Sequence, residues 1–124
     1  MISNDHLKKV QHYVELAKKS CKTTLIEPEL AENNRNGYYS PICIAVDVEL
    51  DSPLMTEEVF GPVVCIVKFS DESEAIRIAN STPYGLSATV WTSEVNKMHR
   101  VAHRLQAGTI WGNCWLVRNL NMPF

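Results

Sequence analysis

Apolar positions recur along this chain in two rhythms, helical at its start and strand-like through much of the remainder. Leu7, Val10, Val14 and Ala17 stand at i, i+3, i+7 and i+10, which places them on one face of a helix. Ser3 or Asn4 is placed to cap that helix, and Lys18-Lys19 fall at its end, where cations complement the exposed carbonyls. Thr23 to Ile26 reads as a short strand, and residues 27–36 (EPELAENNRN) as a polar surface loop. Pro41 to Val48 is apolar and β-branched enough for a buried strand. Asp51 to Glu58 is a connection with room for one helical turn.

From Gly61 onward the pattern becomes regular. Val63 to Phe69 is a continuous apolar strand, and Asp71-Glu72-Ser73-Glu74 is a capping box opening a helix to about Asn80. Pro83-Tyr84-Gly85 stops it, and Leu86 to Trp91 follows as a strand. Ser93 is the expected cap of a further helix, with Val95, Met98, Ala102 and Leu105 on one face and Gly108 at its C′ position. Thr109 to Trp111 is the last strand. This alternation with short links predicts an α/β chain whose open parallel sheet is built of right-handed βαβ units. A parallel sheet buries both faces, and so few helices do not cover it, so the remaining cover is expected from a longer parent chain.

Composition narrows the class without choosing a function. At 124 residues, 45% apolar and 21% charged, the chain is at most one ordinary globular domain. A net charge of −2 gives no overall field for nucleic acid or an acidic membrane. No apolar stretch reaches the length of a membrane span, and Met1 to Asp5 lacks a signal-peptide pattern. A cytoplasmic chain with neither nucleic acid nor membrane as partner is the expectation. The four cysteines are spread without a C-x-x-C, and Cys43 and Cys65 lie in apolar runs as small core residues. His99 and His103 share a helix face but are flanked by Arg100 and Arg104 and lack a third ligand, so they read as a solvated basic face and no metal is expected. His6 and His12 belong to no motif. There is no phosphate-cradling glycine loop.

In open α/β sheets ligands sit beyond the carboxyl ends of the strands, which directs attention to the segment after Trp111. It carries Asn113, Cys114, Trp115, Arg118 and Phe124. An arginine among aromatic rings can pair bidentately with a carboxylate while the rings exclude water; the alternative is a surface arginine lying over a tryptophan. Earlier, Glu57-Glu58 precedes Val59-Phe60-Gly61-Pro62. A carboxylate there can accept both hydroxyls of a ribose and the ring can stack on a nicotinamide, or the pair is merely solvated and Phe60 lies in the core. Cys114 has no identifiable base, so it is not read as a nucleophile, and no catalytic residue is assigned.

Two runs, Thr56-Glu57-Glu58-Val59-Phe60-Gly61-Pro62-Val63 and Asn113-Cys114-Trp115-Leu116-Val117-Arg118, resemble segments of the NAD-dependent aldehyde dehydrogenases. Ser3 to Ala17, Asn36-Gly37-Tyr38-Tyr39, Ala79-Asn80 through Tyr84-Gly85-Leu86 and Ala107-Gly108-Thr109 follow in that family's order. Met55 to Glu58 and Asn113 to Phe124 look like the branch acting on 2-aminomuconic and 2-hydroxymuconic semialdehydes. The resemblance implies that residues 1–124 are part of an aldehyde dehydrogenase catalytic domain. Its nucleophile and general-base motifs and its NAD-binding domain are expected upstream of Met1, so the isolated chain is expected to be inactive. Glu58 matches the glutamate holding the nicotinamide ribose and Phe60 the ring beside the nicotinamide. Leu116, Arg118 and Phe124 match positions lining the substrate entrance, with Arg118 facing a substrate carboxylate. The implied reaction oxidises an aldehyde, here a carboxylated semialdehyde, to the acid with NAD, within a homo-oligomeric parent enzyme. Ile42-Cys43, Pro53, Gly112 and Asn119 depart from common family residues, the last two beside the pocket. A non-catalytic α/β interaction module and a dehydrogenase for retinal or another uncharged aldehyde are the alternatives.

Overall fold

The computed structural model describes residues 1–26 and 37–124, which divide into two compact units, Met1–Lys68 and Phe69–Phe124. The polar loop expected over 27–36 lies outside the described residues.

The first unit begins with α1 (Asn4–Ser20), capped by the Ser3 hydroxyl, which accepts from the His6 N–H at 3.1 Å. Lys18 and Lys19 occupy its last turn, as the charge pattern requires. β1 (Thr23–Ile26), β2 (Cys43–Val46) and β3 (Val63–Ile66) form a three-stranded sheet in that order. β1 runs antiparallel to β2, while β2 and β3 run parallel with Cys43 opposite Val63 and Ala45 opposite Cys65. Between β2 and β3 lies the one-turn helix α2 (Pro53–Thr56), with Ser52 at its N-cap and Pro53 in the first turn, where a missing N–H costs nothing.

Strand alternation sorts this sheet into unequal faces. Cys43 and Ala45 are fully buried and Val63 and Cys65 half-buried, packed with Val10, Tyr13, Val14 and Ala17 of α1 and with Leu54. On the other face Val64 and Ile66 stay about half exposed. Burial pushes the Cys43 and Cys65 thiols up from their ordinary range, as befits small core residues.

Gly61 ties the Thr56 to Val63 run to this core. A Cβ there would lie 2.6 and 2.9 Å from the two γ-carbons of Val10, which is fully buried and stiff. Gly61→Ala is expected to cost about 1–3 kcal/mol by overpacking. Because both obstructing atoms belong to Val10, the Val10→Ala/Gly61→Ala pair should cost less than the sum of the singles in urea unfolding. Strictly additive costs would contradict the packing described.

The second unit opens with α3 (Glu72–Ala79), whose N-cap Asp71 accepts from the Glu74 N–H at 2.9 Å. Glu74 turns back to Ser70, accepting from its N–H and hydroxyl, one residue earlier than the expected box; those bonds hold its carboxyl below the usual range. β4 (Ser87–Val90), α4 (Val95–Ala102) and β5 (Thr109–Gly112) make a βαβ unit, with β4 and β5 parallel. The expected single run of three parallel strands is therefore divided, since β3 pairs with β2 and β4 pairs with β5.

Two expected caps are corrected. α4 starts after Glu94, not Ser93, and the Thr92 hydroxyl accepts from the Glu94 N–H at 3.1 Å. The helix ends at Ala102 with His103 as its C-cap, so Gly108 is not its C′ residue and its φ is not positive. Gly108 is small for another reason: a Cβ there would come within 2.5 Å of the Phe124 carbonyl carbon. Gly112 makes room for the Met98 thioether in the same way, which gives that departure a local packing partner.

Candidate functional site

In the first unit the candidate residues follow α2. Glu57 closes the helix, its N–H donating to the Pro53 carbonyl at 3.0 Å, and its carboxylate accepts from the Tyr13 hydroxyl at 2.6 Å. Glu58 is exposed. Lys9 Nζ donates to its backbone carbonyl at 2.7 Å, while its carboxylate meets no partner among the described residues. The two adjacent carboxylates thus have different tasks, one tied to the fold and one free to accept hydrogen bonds from outside.

Phe60 is 72% exposed, which removes the reading that places its ring in the core. Its φ is 56°, a left-handed conformation that costs a bulky residue about 1–3 kcal/mol and persists only where its surroundings impose it. Two neighbours do so. His6 Nε2 donates to the Phe60 carbonyl at 2.8 Å, the rings standing 6.0 Å apart, and Gly61 is pressed against Val10. A carbonyl only accepts, so this bond sets the proton on Nε2.

In the second unit the segment after β5 is turned by Asn113. Its φ is 54°, tolerable for asparagine, and its side chain copies a peptide group toward Thr92. Asn113 Oδ1 accepts from the Thr92 N–H and Nδ2 donates to the Thr92 carbonyl, both at 2.9 Å, while its own N–H donates to Val90 at 2.9 Å. Leu116 is also left-handed, at 59°. Trp111 lies buried beneath the segment and its indole N–H donates to the Val117 carbonyl at 3.0 Å.

Arg118 is half-buried. Its guanidinium lies 4.2 Å from the Phe124 ring centroid and donates to the Met122 carbonyl at 3.0 Å. The ring beneath it is therefore Phe124 and not a tryptophan. Its other N–H groups meet no acceptor among the described residues. The structure thus brings Arg118 and Phe124 into direct contact, with Leu116 two residues away on the same segment and exposed. Cys114 is half-buried and all four cysteines are free thiols.

Elsewhere in this unit Arg100 forks onto Glu72 at 2.7 and 2.6 Å, joining α4 to α3 and holding the Glu72 carboxyl below its usual range. A groove of about 600 Å³ lies beside this pair, floored by Ile76, Val90 and Leu105 and edged by Phe69 and Trp91, but none of the candidate residues lines it. His99 and His103 are exposed. No helix among the described residues is long and apolar enough to cross a membrane.

His6, Lys9 and Trp111 were not singled out by sequence reasoning. Their partners lie at separations of 54, 49 and 6 residues, and no local pattern announces a bond to a distant backbone carbonyl.

Comparison with known proteins places this geometry. The profile of the aldehyde dehydrogenase family matches residues 1–124. A 2-aminomuconic semialdehyde dehydrogenase of Danio rerio is 46% identical over 129 residues, covering 100% of this chain and 26% of that protein. Among solved structures, an aldehyde dehydrogenase of Pseudomonas aeruginosa superposes with a TM-score of 0.91 at 33% identity, covering 100% of this chain and 25% of its own. An indole-3-acetaldehyde dehydrogenase solved with NAD+ gives a TM-score of 0.91 at 31% identity over the same shares. The chain spans about a quarter of the length of these relatives.

Proposed function

Because the chain belongs to the aldehyde dehydrogenase family, we propose that it is a segment of the catalytic domain of a longer NAD-dependent semialdehyde dehydrogenase. Its first unit supplies residues for the cofactor, and its second unit supplies residues for a carboxylated substrate such as 2-aminomuconic semialdehyde. The observation that carries the substrate class is Arg118, with one face on Phe124, one N–H on Met122 and the rest of its fork uncommitted among the described residues. A planar fork over an aromatic ring suits a carboxylate and offers nothing to an uncharged aldehyde. The name of the 46%-identical relative supports the same class.

The residues present fit NAD. Glu58 offers a carboxylate without a partner among the described residues, able to accept both hydroxyls of the nicotinamide ribose, and Phe60 offers an exposed aromatic face beside it. When bound, NAD supplies the acceptor for the hydride lost as the aldehyde becomes an acid. Glu58 fixes the ribose, Phe60 excludes water from its side of the ring, and Leu116 and Phe124 give the aldehyde an apolar approach. None of these residues is a nucleophile or a general base.

This division sets the test. The full-length protein is expected to form NADH when given a carboxylated semialdehyde, and the 124-residue chain alone to form none. Absence of turnover by the full-length protein would overturn the function. Turnover by the isolated chain would overturn its assignment as a segment that lacks the catalytic groups.

A further inference from the structure

We infer that Trp111 is a specificity-positioning residue, which aims Arg118 by holding the Val117 carbonyl. The inference rests on the reading of Arg118 as the group that meets a substrate carboxylate.

Trp111 stands in β5, opposite Thr89 of β4, and only 6% of it is exposed. An indole has one N–H and no acceptor, so the ring's packing fixes the direction of its single hydrogen bond. That bond reaches the Val117 carbonyl at 3.0 Å. The carbonyl belongs to the peptide unit that leads into Arg118, and pinning it fixes the plane from which the Arg118 side chain departs.

The segment around it has few other ties. Asn113 clamps its base to Thr92, but Trp115, Leu116 and Val117 are all more than half exposed. Leu116 holds its left-handed φ between those two anchors. Arg118 is then held at its root through Trp111 and near its tip by Met122 and Phe124. A bidentate fork needs alignment within roughly 10–20° to form both bonds. Release of the root therefore weakens recognition of a carboxylate more than it disturbs an aldehyde that lacks one.

Trp111→Phe keeps an aromatic ring in the core and deletes the N–H. In the full-length enzyme it is expected to lower kcat/KM for a carboxylated semialdehyde roughly 3–10-fold, through KM, with an uncharged aldehyde of equal length changed less than about twofold. Arg118→Ala is measured alongside. If Arg118→Ala removes the preference for the carboxylated substrate and Trp111→Phe keeps it intact, the inference is overturned while the substrate reading stands. If Arg118→Ala itself leaves the preference intact, the substrate reading fails and takes the inference with it. Equal losses on both aldehydes in Trp111→Phe would show a purely structural role and also overturn it. Should Trp111→Phe fold poorly, β-(3-benzothienyl)alanine at position 111 keeps the bicyclic shape with sulfur in place of the N–H, and the same expectations apply.

Discussion

Arg118→Ala in the full-length enzyme lowers kcat/KM for a carboxylated semialdehyde roughly 10²-fold and leaves an uncharged aldehyde of the same length within about threefold. The size follows from what is lost. A guanidinium seated on an aromatic ring is poorly hydrated on that face, so its bond to a carboxylate competes with less water than a surface pair does. Arg118→Lys separates charge from shape: the ammonium keeps the attraction but lacks the planar fork, and its kcat/KM should fall between the other two. Removing Arg118 also frees the Met122 carbonyl and uncovers the Phe124 ring, which could loosen residues 119–124. The uncharged aldehyde controls for this, because general disorder near the entrance would penalise both substrates. Equal losses on the two would contradict the assignment.

Glu58→Gln raises KM for NAD roughly 10–10²-fold with little effect on the melting temperature. A carboxylate accepting two hydroxyls makes charge-assisted bonds, whereas an amide can accept at its oxygen only and presents donors where the ribose needs acceptors. The stability half of the expectation comes from the structure. The Glu58 side chain is exposed, and its tie to the fold runs through its backbone carbonyl and Lys9. The neighbouring carboxylate provides the contrast, since Glu57 accepts from Tyr13, itself buried. Glu57→Gln should therefore act on stability and Glu58→Gln on the cofactor. An unchanged KM for NAD in Glu58→Gln would remove Glu58 from the cofactor site.

Local patterns made much of the fold legible. The spacing of Val10, Val14 and Ala17 identifies the buried face of α1, and Ser3 caps it, because both signals depend on residues within a few turns. Asp71 and the one-turn α2 were readable for the same reason. Pairing was harder to read. Val63 to Phe69 reads as one continuous apolar strand in a run of three parallel strands, yet only Val63–Ile66 is strand and it pairs with β2, since neighbour choice is settled by packing between distant residues. The misplaced C-cap has a plain cause: α4 is shorter than its apolar spacing suggests, so Leu105 and Gly108 fall beyond it.

For the candidate site, residue chemistry and the family resemblance singled out Glu58, Phe60, Leu116, Arg118 and Phe124. The supporting bonds did not show in the sequence. Phe60 and Leu116 adopt left-handed backbone that nothing in their identity favours, and it takes three dimensions to reveal His6 under one and the Asn113 and Trp111 anchors around the other. Backbone carbonyls as partners leave no trace in a pattern of side chains.

The most direct measurement is the selectivity of the wild-type full-length protein: NADH formation with a carboxylated semialdehyde and with an uncharged aldehyde of the same chain length, compared as kcat/KM. A preference of at least about tenfold for the carboxylated substrate is the result predicted by an uncommitted guanidinium fork over Phe124. Equal values, or a preference for the uncharged aldehyde, would contradict it.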